Sequence, residues 1–518
     1  MIEVHRGSAF AEPVVQAIHR FSDRIAIVCD GEEITYGEMG RQVSRYVQAL
    51  KSLNLKKGDA ISQLSSNRPE VLLVNIACGI LGVRMTQLHP MGSEDDHAFV
   101  LHDAEVPMLI IDEKKYVSRG EALSKRVKGL AILSYGQSPF RSLDDIAGHY
   151  DPMPLVVEAD PDDIVSIGYT GGTTGRPKGV VARSRTRLEQ MKISVVHWEW
   201  PSEVRMLAVT PVSHAAGATF LPTLIKGGAF YIEDGFDPEG FLAAIERHRI
   251  TMASLIPTML YVLLDSPKLK TFDTSSLEVM LYGASPMSPA RLREGIEHFG
   301  NVFLQYYGQA EVPMVASIMN RSEHDLENPE RLGSCGRSTI GTDIKLLNDA
   351  GAEVPRGEIG EICIRGPLVS DGYWKRPEET TFLLRHGWLH TGDLARMDRD
   401  GFIFIVDRSK DMIISGGFNV YPREVEDVLT QHPAVMSAAV IGVPDPKWGE
   451  AVKALVVMRA ASSATEEQLI HWVKEKKGPV YAPKSIEIVK SLPMTGLGKP
   501  DKKAIRARYW SEVGRQVG

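Results

Sequence analysis

The 518-residue sequence predicts an α/β protein with a large N-terminal domain of layered α/β subdomains, a β-rich subdomain, and a small α+β C-terminal domain. Three observations carry this expectation. Helix-spaced and strand-like segments alternate through roughly the first 400 residues. Between Gly357 and Val406 the texture changes to short apolar strands and glycine turns. A compact α/β stretch of about 108 residues then follows Arg408-Ser409-Lys410.

In chain order, Glu38 to Leu53 places Val43, Val47 and Leu50 near helical spacing and ends before Lys57-Gly58-Asp59. Glu70 to Leu81 reads as a buried helix, and the alternation around it argues for largely parallel sheets. The segments Gly360-Glu361-Ile362-Cys363-Ile364-Arg365-Gly366 and Gly401-Phe402-Ile403-Phe404-Ile405-Val406 are the strands of the β-rich part. Beyond them, strands are expected near Ser437 to Ile441 and Ala454 to Met458, and a helix from Glu466 to Lys476. The boundary falls at Lys410, giving domains 1–409 and 410–518.

Hydrophobic residues make up 43% of the chain and charged residues 24%, ordinary values for a globular protein able to bury substantial cores. A net charge of −7 is small for this length, so neither nucleic acid nor an anionic membrane is expected as a bulk partner. The four cysteines, Cys29, Cys78, Cys335 and Cys363, are widely spaced in no metal-like pattern and suit a reducing compartment. The start of the chain lacks a basic head with an apolar run, and the longest apolar stretch, Val71 to Gly82, is shorter than the ~20 residues a spanning helix needs. A cytoplasmic enzyme without membrane insertion is the expectation.

The most informative segment is Tyr169-Thr170-Gly171-Gly172-Thr173-Thr174-Gly175-Arg176-Pro177-Lys178-Gly179. Its glycines let backbone approach an anion, its threonine hydroxyls and amides donate hydrogen bonds, and Lys178 adds positive charge. Such a loop suits a polyphosphate. It is not a Walker A loop, because Pro177 stands where glycine must precede the lysine, and Gly496-Leu497-Gly498-Lys499 fails as well. The absence of a Gly-x-Ser-x-Gly elbow removes a serine-hydrolase reading of His214.

With the segments around Tyr307, Trp388, Asp411 and Lys499, this loop resembles the adenylate-forming superfamily of acyl-CoA synthetases, aryl-CoA ligases, luciferases and peptide-synthetase adenylation domains. The resemblance runs from about Asp23 to Arg508. It implies ATP, Mg²⁺ and coenzyme A as ligands, with the Thr170 to Lys178 loop on the phosphates. In Tyr307-Gly308-Gln309-Ala310-Glu311 it implies that Glu311 holds Mg²⁺, a role one carboxylate with phosphate oxygens and waters can fill. Ala310 departs from the family's threonine. Gly283-Ala284-Ser285 resembles the segment on which adenine packs. Asp393, in Trp388-Leu389-His390-Thr391-Gly392-Asp393-Leu394, resembles the aspartate that takes the ribose diol. Arg408 matches a second nucleotide contact and equally suits an interdomain salt bridge.

Leu492-Pro493-Met494-Thr495-Gly496-Leu497-Gly498-Lys499-Pro500 resembles the loop carrying the catalytic lysine, here Lys499, whose charge on a long arm can bridge substrate carboxylate and α-phosphate. His214, in Ser213-His214-Ala215-Ala216-Gly217, resembles an acyl-site gate and equally suits a buried core histidine. Gly416 and Gly417 follow the boundary and resemble the loop that lines a pantetheine channel after domain rotation, with Lys410 as the hinge. The expected reaction converts a hydrophobic fatty, aryl or bulky cyclic acid to acyl-AMP and then acyl-CoA. Alternatives are loading of a carrier-protein phosphopantetheine, and a non-catalytic acyl-adenylate or nucleotide sensor. Room beside His214 and at Gly283 and Ala284 is expected to admit a bulky acid.

Overall fold

A computed structural model describes residues 7–170, 177–408, 411–415, 417–460, 462–495 and 499–510. Two large sheets organise the N-terminal part. In the first, of seven strands, Ala60–Leu64, Arg84–Gln87 and Met108–Asp112 run parallel at the centre. Its far edge is the antiparallel pair Ile164–Thr170 and Lys178–Arg183, with Thr170 opposite Lys178, so the two ends of the phosphate-type segment stand side by side. The second sheet has nine strands, parallel through Val279–Gly283 and Phe303–Gln309 and turning antiparallel at Val312–Met319.

Pro69–Leu81 is buried almost all round, whereas Tyr36–Ser52 keeps Arg41, Lys51 and Ser52 exposed. Pro69–Leu81 begins on a proline, which lacks a donor the first turn could not use, and ends at Gly82 with φ +72°. Ten of the eleven positions from Val71 to Leu81 are buried, all but Asn75, which explains its lack of polar periodicity. Tyr36–Ser52 is capped by the Thr35 side chain, which accepts from the Glu38 amide at 3.1 Å. One apolar cluster joins these helices to both sheets, through residues such as Ile61, Ile80, Phe220 and Leu304.

The β-rich part is a four-stranded antiparallel sheet of Asp343–Leu347, Gly360–Arg365, Leu389–Met397 and Ile403–Arg408. The C-terminal part is a five-stranded sheet built on Val435–Asp445 and Gly449–Met458, both longer than their apolar centres suggest. The Glu466–Lys477 helix packs on it behind a reciprocal Thr465/Gln468 capping box. Contacts join this part to the body: Arg459 pairs with Glu294 at 2.8 Å, and Ser288 and Thr430 hydroxyls meet at 3.0 Å. Among the described residues, no helix is long and apolar enough to cross a membrane.

Candidate active site

Asp393 and Arg408 lie opposite each other on neighbouring antiparallel strands, and Arg408 Nε meets Asp393 Oδ1 at 3.1 Å. Asp393 is 6% exposed. Its Oδ2 accepts from the Tyr307 hydroxyl at 2.8 Å and from Gln309 Nε2 at 2.6 Å. A carboxylate has about four lone-pair sites, so these donors fix its plane and leave acceptor capacity for a diol. The turn before it is held equally firmly. Gly392, at φ +72°, donates its amide to Glu361 Oε1 at 2.8 Å, while His390 Nδ1 and Arg385 reach Glu361 Oε2 at 2.6 and 3.0 Å.

Glu311 sits at the bend between Phe303–Gln309 and Val312–Met319 and is 8% exposed. Its Oε1 accepts from the Tyr373 hydroxyl at 2.7 Å. Burial and the neighbouring Glu311 push the Tyr373 pKa up, so that hydroxyl keeps its proton. Lys178 Nζ lies 5.1 Å from the centre of the Tyr373 ring. Tyr373 therefore ties the carboxylate to the strand pair at the ends of the phosphate-type segment, assisted by the Trp374 amide, which donates to the Gly179 carbonyl at 2.7 Å.

Lys499 comes from the C-terminal part. Its amide donates to Thr495 Oγ1 at 3.2 Å, and its carbonyl accepts from the Thr495 amide at 2.7 Å, closing a tight loop. Burial, then repulsion by Arg408, lowers its pKa to about 8 against the opposing pull of Asp393. Arg408 and Asp393 thus both act on the charge of Lys499, although 91 residues separate it from Arg408 in sequence.

His214 immediately precedes the Ala215–Ile225 helix. Its Nδ1 shares a 2.8 Å hydrogen bond with the Ser213 hydroxyl, and its ring lies edge-on to His89 with centroids 4.5 Å apart. Burial, then the neighbouring His89, drives its pKa down to about 3, so it is neutral at ordinary pH. Asn67 braces the approach to it, accepting from the Val212 amide at 2.8 Å and donating to the Thr210 carbonyl at 3.1 Å.

The spacious acyl site expected at the glycines needs correcting. A Cβ at Gly217 would lie 2.0 Å from the Val212 carbonyl oxygen, and one at Gly283 would lie 2.4 Å from that of Tyr306. These glycines serve backbone approach, not room for a ligand. Gly308 is equally crowded, by the Met314 amide at 2.4 Å. Ala284 follows at φ +65°, and Ser285 and Ala310 continue their segments as exposed or half-buried positions. Gly417, at φ +82°, turns between Ile413–Ser415 and Phe418–Val420; among the described residues no hydrogen bond joins it to Asp393, Glu311 or Lys499. Gly171, Gly172, Thr173, Thr174, Gly175, Lys410 and Gly416, and the Thr170 side chain, lie outside the described residues.

Sequence reasoning missed Tyr373, Glu361 and Asn67. Glu361 sits in a segment whose sequence reads only as a strand, and Tyr373 and Asn67 carry no motif.

The family model described as AMP-binding enzyme matches residues 14–374, and the AMP-binding enzyme C-terminal domain matches residues 424–499. The chain belongs to the AMP-binding enzyme family. It is 47% identical over 521 residues to the medium/long-chain-fatty-acid–CoA ligase FadD8 of Mycobacterium tuberculosis, covering 98% of this chain and 91% of that one. A feruloyl-CoA synthase of Amycolatopsis sp is 38% identical, with 92% and 94% covered. Among solved structures, the amide bond synthetase McbA of Marinactinospora thermotolerans aligns with TM-score 0.89 at 32% identity, covering 96% and 99%. ATP-bound MatB of Rhodopseudomonas palustris aligns at 0.88 and 28%, covering 97% and 99%.

Proposed function

We propose that this enzyme activates a hydrophobic carboxylic acid with ATP and passes the acyl group to coenzyme A. A carboxylate oxygen of the acid attacks the α-phosphorus, the bond to pyrophosphate breaks, and acyl-AMP forms. The CoA thiol, losing its proton, then attacks the acyl carbon, and AMP leaves with the bridging oxygen. The observation that carries the reading is the buried Asp393 carboxylate, fixed by Tyr307, Gln309 and Arg408 with acceptor capacity left for a ribose diol.

In this reading Asp393 orients the ribose, held by Tyr307 and Gln309. Arg408 fixes Asp393 from the other side. Lys499 places its ammonium between the acid and the α-phosphate, where negative charge gathers in the transition state. Lys178 and the Thr170 to Gly175 loop cradle the leaving pyrophosphate. Glu311 fits a hard cation: it is a buried carboxylate whose Oε2 accepts from no described residue, while Tyr373 fixes Oε1. Mg²⁺ bound there would neutralise phosphate charge. Neutral His214 would border the acid without adding charge beside it.

Rotation of residues 410–518 about Lys410 would exchange Lys499 for Gly416 and Gly417 between the two half-reactions. Family relatives include a fatty acid–[acyl-carrier-protein] ligase of Streptomyces coeruleorubidus, so a carrier protein is the acceptor to test against CoA. Purified enzyme with Mg²⁺, ATP, CoA and a panel of fatty, aryl and cyclic acids is expected to yield AMP, pyrophosphate and acyl-CoA. ADP as the product contradicts the adenylation step; turnover only with a carrier protein contradicts CoA as acceptor.

A further inference from the structure

Asp103 is the last residue of the Glu94–Asp103 helix. A carboxylate there meets the negative end of the helix macrodipole, where a cation is favoured, so the helix itself gains nothing from it. Its partners account for it. Oδ2 accepts from the Tyr169 hydroxyl at 2.7 Å, Oδ1 accepts from Arg376 Nη2 at 2.7 Å, and the Asp103 carbonyl accepts from Trp374 Nε1 at 3.1 Å. The Asp103 side chain is 13% exposed, so water competes little for these donors.

Both groups of partners lead to the phosphate-type segment. Tyr169 stands directly before Thr170 and opposite Gly179 in strand register, as Thr170 stands opposite Lys178. Its ring lies against Gly179, where an added Cβ would come within 3.0 Å of Tyr169 Cζ. The same ring meets Phe99 edge-on with centroids 6.4 Å apart, and Phe99 is one helical turn before Asp103. Burial, then the hydrogen bond to Asp103, pushes the Tyr169 pKa up, so the hydroxyl keeps its proton and donates.

From the other side, the Trp374 amide donates to the Gly179 carbonyl at 2.7 Å, and the Arg84 guanidinium stacks 4.4 Å from the centre of the Trp374 ring. Tyr373, one residue earlier, holds Glu311 and lies beside Lys178. A single carboxylate thus joins the strand that enters the phosphate-type segment to the stretch that fixes Glu311. The neighbouring Lys375–Glu105 pair is exposed on both sides and adds little to this clamp. All of these contacts lead towards Lys178 and Glu311, whereas His214 and Lys499 belong to other segments.

We propose that Asp103 is a positioning residue for the pyrophosphate end of ATP: by clamping Tyr169 and Arg376 it fixes Lys178 and Glu311 relative to each other. Its loss weakens the grip on magnesium pyrophosphate and spares the acid and the thiol step. This rests on the acid:CoA ligase reading and assigns one end of that site its support.

Three measurements on Asp103→Ala test it, with the acid that turns over fastest: single-turnover pyrophosphate release against ATP concentration, inhibition by added pyrophosphate, and acyl-CoA formation from supplied acyl-adenylate. The kcat/KM for ATP is expected to fall about tenfold and the inhibition constant for pyrophosphate to rise about tenfold, as for loss of a charged hydrogen-bond partner. The KM for the acid and the rate from acyl-adenylate should stay within about twofold of wild type. Tyr169→Phe, which deletes one oxygen, should shift the same two quantities about fivefold. The double variant should add no more than about twofold to Asp103→Ala, where independent effects would multiply to about 50-fold. Unchanged ATP and pyrophosphate values overturn the inference. Equal losses in both half-reactions mark a merely structural role and also overturn it. If Asp103→Ala does not fold, Tyr169→Phe decides by the same readings. Release of no pyrophosphate by the wild-type enzyme from any acid instead strikes the ligase reading itself.

Discussion

If Lys499 must carry its proton to stabilise charge at the α-phosphate, adenylation should decline as pH rises through the lysine's own pKa. Burial and Arg408 bring that pKa from 10.5 to about 8, with Asp393 holding it from falling further. The sign follows directly: the charged form is present below about 8 and is lost above it. A group with that pKa is about nine-tenths protonated at pH 7 and about one-tenth at pH 9. The kcat/KM for ATP, which reports the free enzyme, should therefore fall about tenfold between those values. In kcat the break should move to higher pH, because bound phosphate and carboxylate favour the ammonium. The assay is single-turnover pyrophosphate release without CoA, so that the thiol's own titration plays no part. Lys499→Arg provides the control, since a guanidinium keeps its charge throughout, and its slower reaction should show no break. A flat kcat/KM from pH 7 to 9.5, or the same break in Lys499→Arg, would refute the reasoning.

Two further outcomes are expected. Tyr373→Phe removes the donor to Glu311 while keeping the ring beside Lys178, and loss of one hydrogen bond to a buried carboxylate should cost about 1.5–3 kcal/mol, seen as a roughly 10- to 100-fold rise in the Mg²⁺ concentration that half-saturates MgATP binding; unchanged Mg²⁺ dependence would show that the pair has no bearing on the metal. Lys410→Pro fixes φ near about −65° at the proposed pivot and should retain acyl-adenylate formation while losing most thioester formation, measured as separate half-reactions; wild-type acyl-CoA synthesis by this variant would rule Lys410 out as the hinge.

Much of this architecture was legible because its signals are local. The buried Pro69–Leu81 helix announces itself by a mostly apolar run, broken by Glu70 and Asn75, between a proline and a glycine, and the pair Ile164–Thr170 and Lys178–Arg183 by two apolar runs flanking a glycine-rich segment. Asp393 and Arg408 could be named from their motifs, but their direct pairing depends on strand register, which those motifs do not contain. Tyr373 is 62 residues from Glu311 and Asn67 is 145 from Val212; such partners meet only once the sheets are assembled. The small residues near His214 illustrate a different limit. A glycine that makes room for a ligand and a glycine that lets two backbone segments touch look the same in sequence, and Gly217 and Gly283 prove to be the second kind.

The most direct test of the central claim follows the oxygen of the acid. With a carboxylic acid labelled with ¹⁸O in its carboxyl group, attack on the α-phosphorus followed by thiolysis must transfer one labelled oxygen to AMP, which mass spectrometry reads as a gain of two mass units. AMP carrying one ¹⁸O alongside acyl-CoA is the predicted result. Unlabelled AMP, or ADP as the nucleotide product, would contradict an acyl-adenylate intermediate.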